Sequence, residues 1–153
     1  MLDRLDKSSW LMAVASLAAD RSSCPRNRRG AVLAKDFYVL AVGYSGSPKG
    51  LPHCIDEGVG CLIKKDVASG LERCVRAVHA EVNALINAVA AGTSVGTRGA
   101  SLYTTNFPCL DCAKLIINAG IADVHYLGAV TDAQSETILK EAGINLVEEK
   151  LKI

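Results

Sequence analysis

His79-Ala80-Glu81 and, about thirty residues on, Pro108-Cys109-Leu110-Asp111-Cys112 bring together the side chains of this chain best suited to chemistry. One imidazole and two thiols supply three ligands for a zinc ion, and the adjoining carboxylate has no obvious ligand role. A closed structural zinc site uses four protein ligands. A catalytic one keeps a position for water or substrate and brings the pKa of that water to roughly 7. On this reading His79, Cys109 and Cys112 hold the metal, and Glu81 is left to move protons. The plainer reading is an ordinary helix histidine beside a redox Cys-x-x-Cys or half of a zinc knuckle. The order and spacing of the two motifs, each opening a helix, favour the catalytic one.

The elements that must position these residues follow from periodicity. Leu5 to Ala19, with Trp10, Met12, Val14 and Leu17 and neither Gly nor Pro, predicts an amphipathic packing helix. Gly30–Ala34 and Phe37–Val42 predict a strand pair turning at Lys35-Asp36. Gly43 to Cys74 is rich in Gly, Pro, Ser and Cys and lacks periodicity, so it reads as a long loop that needs an anchor. Beyond it helices (Val78–Ala91, Cys109–Ala119, Ala133–Ala142) alternate with strands (Ala100–Thr105, Asp123–Leu127, Ile144–Val147). Each helix ends at a glycine, Gly92, Gly120 or Gly143. Alternation of this kind predicts parallel strands joined by helical crossovers beside the initial hairpin: an α/β/α three-layer sandwich with a mixed sheet of about five strands, one domain over 1–153. Both motifs then fall in first turns of helices, where unpaired N–H groups and the dipole favour thiolates and developing negative charge.

At 153 residues, 50% hydrophobic and 22% charged, the chain suits a single core. A formal charge of +1 argues against binding long nucleic acid, though not against a small anion met by a local patch. No apolar run reaches the ~20 residues of a membrane span, and Met1-Leu2-Asp3-Arg4 lacks the order of a signal peptide, so a cytoplasmic protein is expected. In that setting six cysteines point to metal rather than to cross-links.

At the two motifs the chain resembles the cytidine deaminase superfamily, and more narrowly the deoxycytidylate (dCMP) deaminases. The likeness extends through Cys24-Pro25-Arg26, Gly30-Ala31-Val32, Gly43-Tyr44-Ser45-Gly46-Ser47-Pro48-Lys49-Gly50, Val78 to Ala84 and Phe107 to Gly120, most of the chain in order. Family members typically carry asparagine where Ser45 stands, and some carry an aromatic and an arginine at the positions of Asn87 and Ala90.

The resemblance implies a cytidine deaminase-like fold and hydrolysis of dCMP to dUMP and ammonia, on the route to dTTP. Glu81 would take a proton from water, let hydroxide attack C4, and serve N3 and the leaving amine. Ala80 would offer a backbone N–H to the pyrimidine carbonyl, and Ser45 would face the sugar or a regulator. Phe107 and Tyr126, at the ends of strands bordering the site, are either walls for the base or plain core. The basic cluster Arg26, Arg28, Arg29 suits a 5′-phosphate, with Arg26 the first choice. The resemblance also implies a homohexamer regulated by dCTP and dTTP with Mg2+, with Tyr44, Gly46, Pro48 and Lys49 lining the regulatory site. Cys24, Cys54, Cys61 and Cys74 are either buried small apolar residues or the ligands of a second, structural zinc that ties down the long loop. The resemblance lends the latter support, since some phage members place a second zinc near the first two. Other readings are a deaminase of another cytosine nucleoside or of tRNA adenosine, and a non-enzymatic zinc-stabilised module.

Overall fold

The computed structural model describes residues 4–93 and 96–151, so Met1 to Asp3, read above for a leader, lie outside the described residues. In chain order the elements are α1 (Lys7–Ala19), β1 (Gly30–Lys35), β2 (Tyr38–Tyr44), β3 (Ile63–Lys65), β4 (Glu72–Cys74), α2 (Ala80–Ala90), β5 (Ser101–Thr104), α3 (Leu110–Asn118), β6 (Asp123–Leu127), α4 (Ala133–Glu141) and β7 (Asn145–Glu149). Five strands form one sheet in the order β2-β1-β5-β6-β7. The β1 strand is antiparallel to both neighbours, whereas β5, β6 and β7 run parallel. This is the mixed α/β sheet expected.

Strand β1 explains the layering. Its side chains alternate: Ala31 and Leu33 join a core with Ala84, Ala88, Ile116 and Leu139 of α2, α3 and α4, while Val32 and Ala34 join Leu11, Met12 and Ala15 of α1. A strand buried on both faces reads as a continuous apolar run, which Gly30–Ala34 does. One helix therefore covers one face and three cover the other. The helices sit close to the sheet because glycine lies beneath them: a Cβ on Gly30 would lie 2.0 Å from the carbonyl oxygen of Ala15, and one on Gly43 would lie 2.3 Å from that of Ala80.

Three details differ from expectation. The hairpin turns at Asp36-Phe37, both at positive φ, one residue later than expected, because Lys35 still pairs with Tyr38. In α1 the buried stripe is Leu11, Met12, Ala15 and Ala18, while Trp10 and Leu17 face outward. The segment Gly43 to Cys74 is not all loop: β3 and β4 pair as a small antiparallel hairpin whose turn is held by Asp66, which accepts from the N–H and hydroxyl of Ser69, both at 2.7 Å.

Candidate active site and metal centre

The two motifs arrive from neighbouring crossovers. His79 is the N-cap of α2 and Cys109 the N-cap of α3, one position earlier than the first-turn placement expected, both with extended backbone. Glu81 and Cys112 follow inside their helices. His79 Nδ1 lies 3.4 Å from Cys109 Sγ and 3.3 Å from Cys112 Sγ. A tetrahedral zinc with nitrogen at about 2.0 Å and sulfur at about 2.3 Å sets N···S near 3.5 Å, so the donor set fits that ion. The three donor atoms lie within 4.8 Å of one another, and among the described residues no fourth ligand-type side chain joins them. An open set of three is what a catalytic zinc uses and a structural one does not.

The charges are arranged accordingly. A hydrogen bond from Cys112, helped by His79 and opposed by burial, draws the Cys109 thiol down to about 4, while that same bond and burial push Cys112 up. Hydrogen bonding to Cys109 raises His79. Glu81 is 1% exposed, and burial raises its carboxyl above the ordinary range. Its Oε1 accepts from the buried Thr104 hydroxyl at 3.0 Å, and the Cys112 thiol points to its Oε2 at 3.8 Å. A buried carboxylate beside a metal-type donor set, steered by one hydroxyl, is suited to taking and returning protons.

A cleft of about 650 Å³ opens over His79 and Cys109. Phe107 lines it, but Tyr126 does not: it packs edge-on behind Phe107 with ring centroids 4.8 Å apart, so it buttresses the wall rather than forming it. Arg26 lines the cleft and donates to the carbonyl of Glu72 at 3.4 Å, and Arg29 lines it as well. Arg28 turns away to Asp20 at 3.4 Å. Ser45 lines the cleft, yet its hydroxyl donates to the Asn27 carbonyl at 2.6 Å and accepts from Arg29 N–H at 3.1 Å, so it fastens the arginine loop from within. Ala80 is fully buried at the first position of α2. Tyr44, Gly46, Pro48 and Lys49 lie outside the cleft lining, and Gly46 exchanges two backbone hydrogen bonds with Val78, the residue before His79.

Of the remaining cysteines, the sulfurs of Cys54, Cys61 and Cys74 lie within 4.8 Å of one another, with Cys54 and Cys74 3.8 Å apart. Cys24 is outside that trio. Its sulfur accepts from Asn27 N–H at 3.4 Å. Burial pushes Cys54 up to about 11. Desolvation opposes ionisation of Cys74 too, but N–H groups of Arg76, Ala77 and Leu62 and the Cys54 thiol outweigh it and bring Cys74 to about 7. Sequence reasoning missed Thr104, which sits on a different element from its partner, as well as Arg73 in the cleft wall and Asp132, described below.

Residues 5–128 match the family described as the cytidine and deoxycytidylate deaminase zinc-binding region. The chain is 37% identical to ComE operon protein 2 of Bacillus subtilis over 151 residues, covering 98% of this chain and 75% of that one. It is also 37% identical to deoxycytidylate deaminase of Saccharomyces cerevisiae over 139 residues, covering 90% of this chain but only 43% of the longer yeast protein. Among solved structures it resembles dCMP deaminase of the cyanophage S-TIM5, determined in complex with dCMP and dUMP, at a TM-score of 0.75 and 27% identity over 96% of this chain and 99% of that one. With the open His/Cys/Cys set and the buried glutamate already in place, the chain belongs to the zinc-dependent cytidine and deoxycytidylate deaminase family.

Proposed function

We propose that this protein hydrolyses dCMP to dUMP and ammonia, feeding the synthesis of dTTP. The observation that carries the reading is Glu81, a buried carboxylate steered by Thr104 beside three zinc donors that leave one coordination position open, at a cleft. Likeness to a phage enzyme solved with dCMP and dUMP supports this substrate over other cytosine compounds. A zinc ion at His79, Cys109 and Cys112 supplies Lewis acidity, bringing a water's pKa to about 7. Glu81 takes one proton from the attacking water as its oxygen adds to C4, and passes that proton to N3. It carries the second proton to the exocyclic amine; the C–N bond breaks, ammonia leaves, and a C4 carbonyl remains. Phe107 walls the base with Tyr126 behind it, the N–H of Ala80 meets the pyrimidine carbonyl, and Arg26 takes the 5′-phosphate on a loop that Ser45 braces.

Cys54, Cys61 and Cys74 hold a second, structural zinc, with Cys24, outside the trio, as the fourth ligand of this reading. Support comes from the convergence of the three sulfurs and from N–H groups aimed at Cys74, which stabilise a thiolate. Reduced thiols of this kind suit the cytoplasm, and no helix among the described residues is long and apolar enough to cross a membrane. A dNTP with Mg2+, dCTP activating and dTTP inhibiting, acts at Tyr44, Gly46, Pro48 and Lys49 in a homohexamer. Ile86 and Val89, exposed apolar residues on α2, suit an interface between copies.

Ammonia release from dCMP and from deoxycytidine, with and without dCTP, dTTP and Mg2+, tests the reading on protein of measured zinc content. Light scattering gives the assembly size. Glu81→Gln is expected to keep its zinc and lose nearly all turnover; a zinc-loaded variant that still deaminated dCMP would remove Glu81 from its role.

A further inference from the structure

Each of the two helices that carry the metal donors lacks the usual side-chain cap. An N-cap residue ordinarily turns its side chain back to accept a hydrogen bond from the first turn, as Asp6 does for Ser9 N–H at 2.8 Å in α1. Cys109 caps α3 but makes no such bond, because its sulfur faces His79 and Cys112. The first-turn N–H groups of α3 must find acceptors elsewhere. One of them does so on another helix: Leu110 N–H donates to Asp132 Oδ2 at 2.9 Å. Asp132 is itself the N-cap of α4, and its other oxygen accepts from Ser135 N–H at 3.0 Å. Three residues on, the buried Ser135 hydroxyl donates to the Pro108 carbonyl at 2.7 Å. The two peptide units that flank Cys109 are therefore both gripped by the first turn of α4.

We propose that Asp132 is a positioning residue for the metal centre: it caps α4 with one oxygen and, with the other, fixes the Pro108-Cys109-Leu110 turn so that the Cys109 sulfur stays aimed at the ion. Single-residue carboxylates that orient ligands from outside the coordination sphere typically change metal affinity 10–100-fold when removed. Here the grip acts on the main chain beside one ligand, so the lower end of that range is expected. The role does not depend on which cytosine compound is the substrate, and zinc retention tests it without any turnover assay.

The experiment separates the cap from the tether. Asp132→Ser keeps an oxygen that can cap α4 but is too short to reach Leu110 as well. Leu110→Pro removes the same bond from its donor side; proline is tolerated at a first helical position, and Cys109, at φ −73° and ψ 167°, already has the extended backbone that must precede one. Asp6→Ala deletes an equivalent cap in α1 and serves as control. Zinc release from the zinc-loaded protein to excess chelator is followed phase by phase, the phase of the triad being the one that Cys112→Ser abolishes, with thermal melts alongside. Asp132→Ser and Leu110→Pro are each expected to speed that phase about tenfold, with the double variant no faster than either, while Asp6→Ala lowers the melting temperature and leaves the phase unchanged. Wild-type release rates in both single variants would overturn the proposal, and so would a speed-up that Asp6→Ala reproduces.

Discussion

Thr104 donates its hydroxyl to Oε1 of Glu81 at 3.0 Å, and both side chains are buried. The bond fixes one carboxylate oxygen and leaves the other to face the metal centre, where Oε2 meets the Cys112 sulfur at 3.8 Å. A hydrogen bond to a charged partner contributes about 1.5–3 kcal/mol. Thr104→Val, which preserves shape and removes the donor, is expected to lower kcat about tenfold or more with zinc content intact, and Thr104→Ser to recover most of the loss. Equal kcat for the valine variant and wild type would show that Glu81 needs no such guide.

Arg26 supplies the second prediction. If it meets the 5′-phosphate, Arg26→Ala should raise KM for dCMP roughly 10–100-fold, the worth of a charge-assisted hydrogen bond, and leave deoxycytidine turnover where it was. The ratio of kcat/KM for the two substrates reads this directly; a variant that weakens both alike places the arginine elsewhere.

The thiol trio predicts a count. Freshly purified, unchelated protein should carry two zinc ions per chain, and Cys61→Ser one, with a lower melting temperature because a structural zinc contributes folding free energy. Elemental analysis decides it: a single zinc in the wild type means that Cys54, Cys61 and Cys74 are simply packed thiols.

Gly43 makes a prediction about stability. An added Cβ would stand 2.3 Å from both the Ala80 carbonyl oxygen and Ala84 N, main-chain atoms that cannot rotate away. Gly43→Ala should cost about 3 kcal/mol or more through overpacking, and, by lifting the start of α2, should loosen zinc at His79. Chemical denaturation and zinc retention measured together test both halves.

How much of this was legible in the sequence depends on whether a feature is local. His79, Glu81, Cys109 and Cys112 could be read because each pair is fixed within one turn and the preceding strands and loops dictate where the helices begin. Thr104 could not, because its link to Glu81 arises from the placement of β5 against α2, and threonine in a strand has no pattern that says what it touches. Asp132 is similar: as a cap it is ordinary, and its second partner lies 22 residues earlier in the chain. Hairpin β3–β4 is not legible because strands of three residues, exposed apart from half-buried Cys74, carry no alternation to detect. In α1 the apolar residues surround the helix, so composition announced a packed element without saying that Trp10 and Leu17 would be left outside. Tyr126 and Phe107 both lie near the ends of strands that border the site, and position along a strand does not say which ring stands in front, so Phe107 lining the cleft with Tyr126 edge-on behind it is visible only in the packing.

The reciprocal pair of backbone hydrogen bonds between Gly46 and Val78 ties the ribbon after β2 to the peptide just ahead of His79. Main chain so stitched moves as one piece. If the proposed regulator binds at Tyr44 and Lys49, a displacement of that ribbon would reach the peptide ahead of His79 through two amides, with no chain of side chains in between. The proposed regulatory segment and the histidine of the metal centre would then be adjacent rungs of one short ladder.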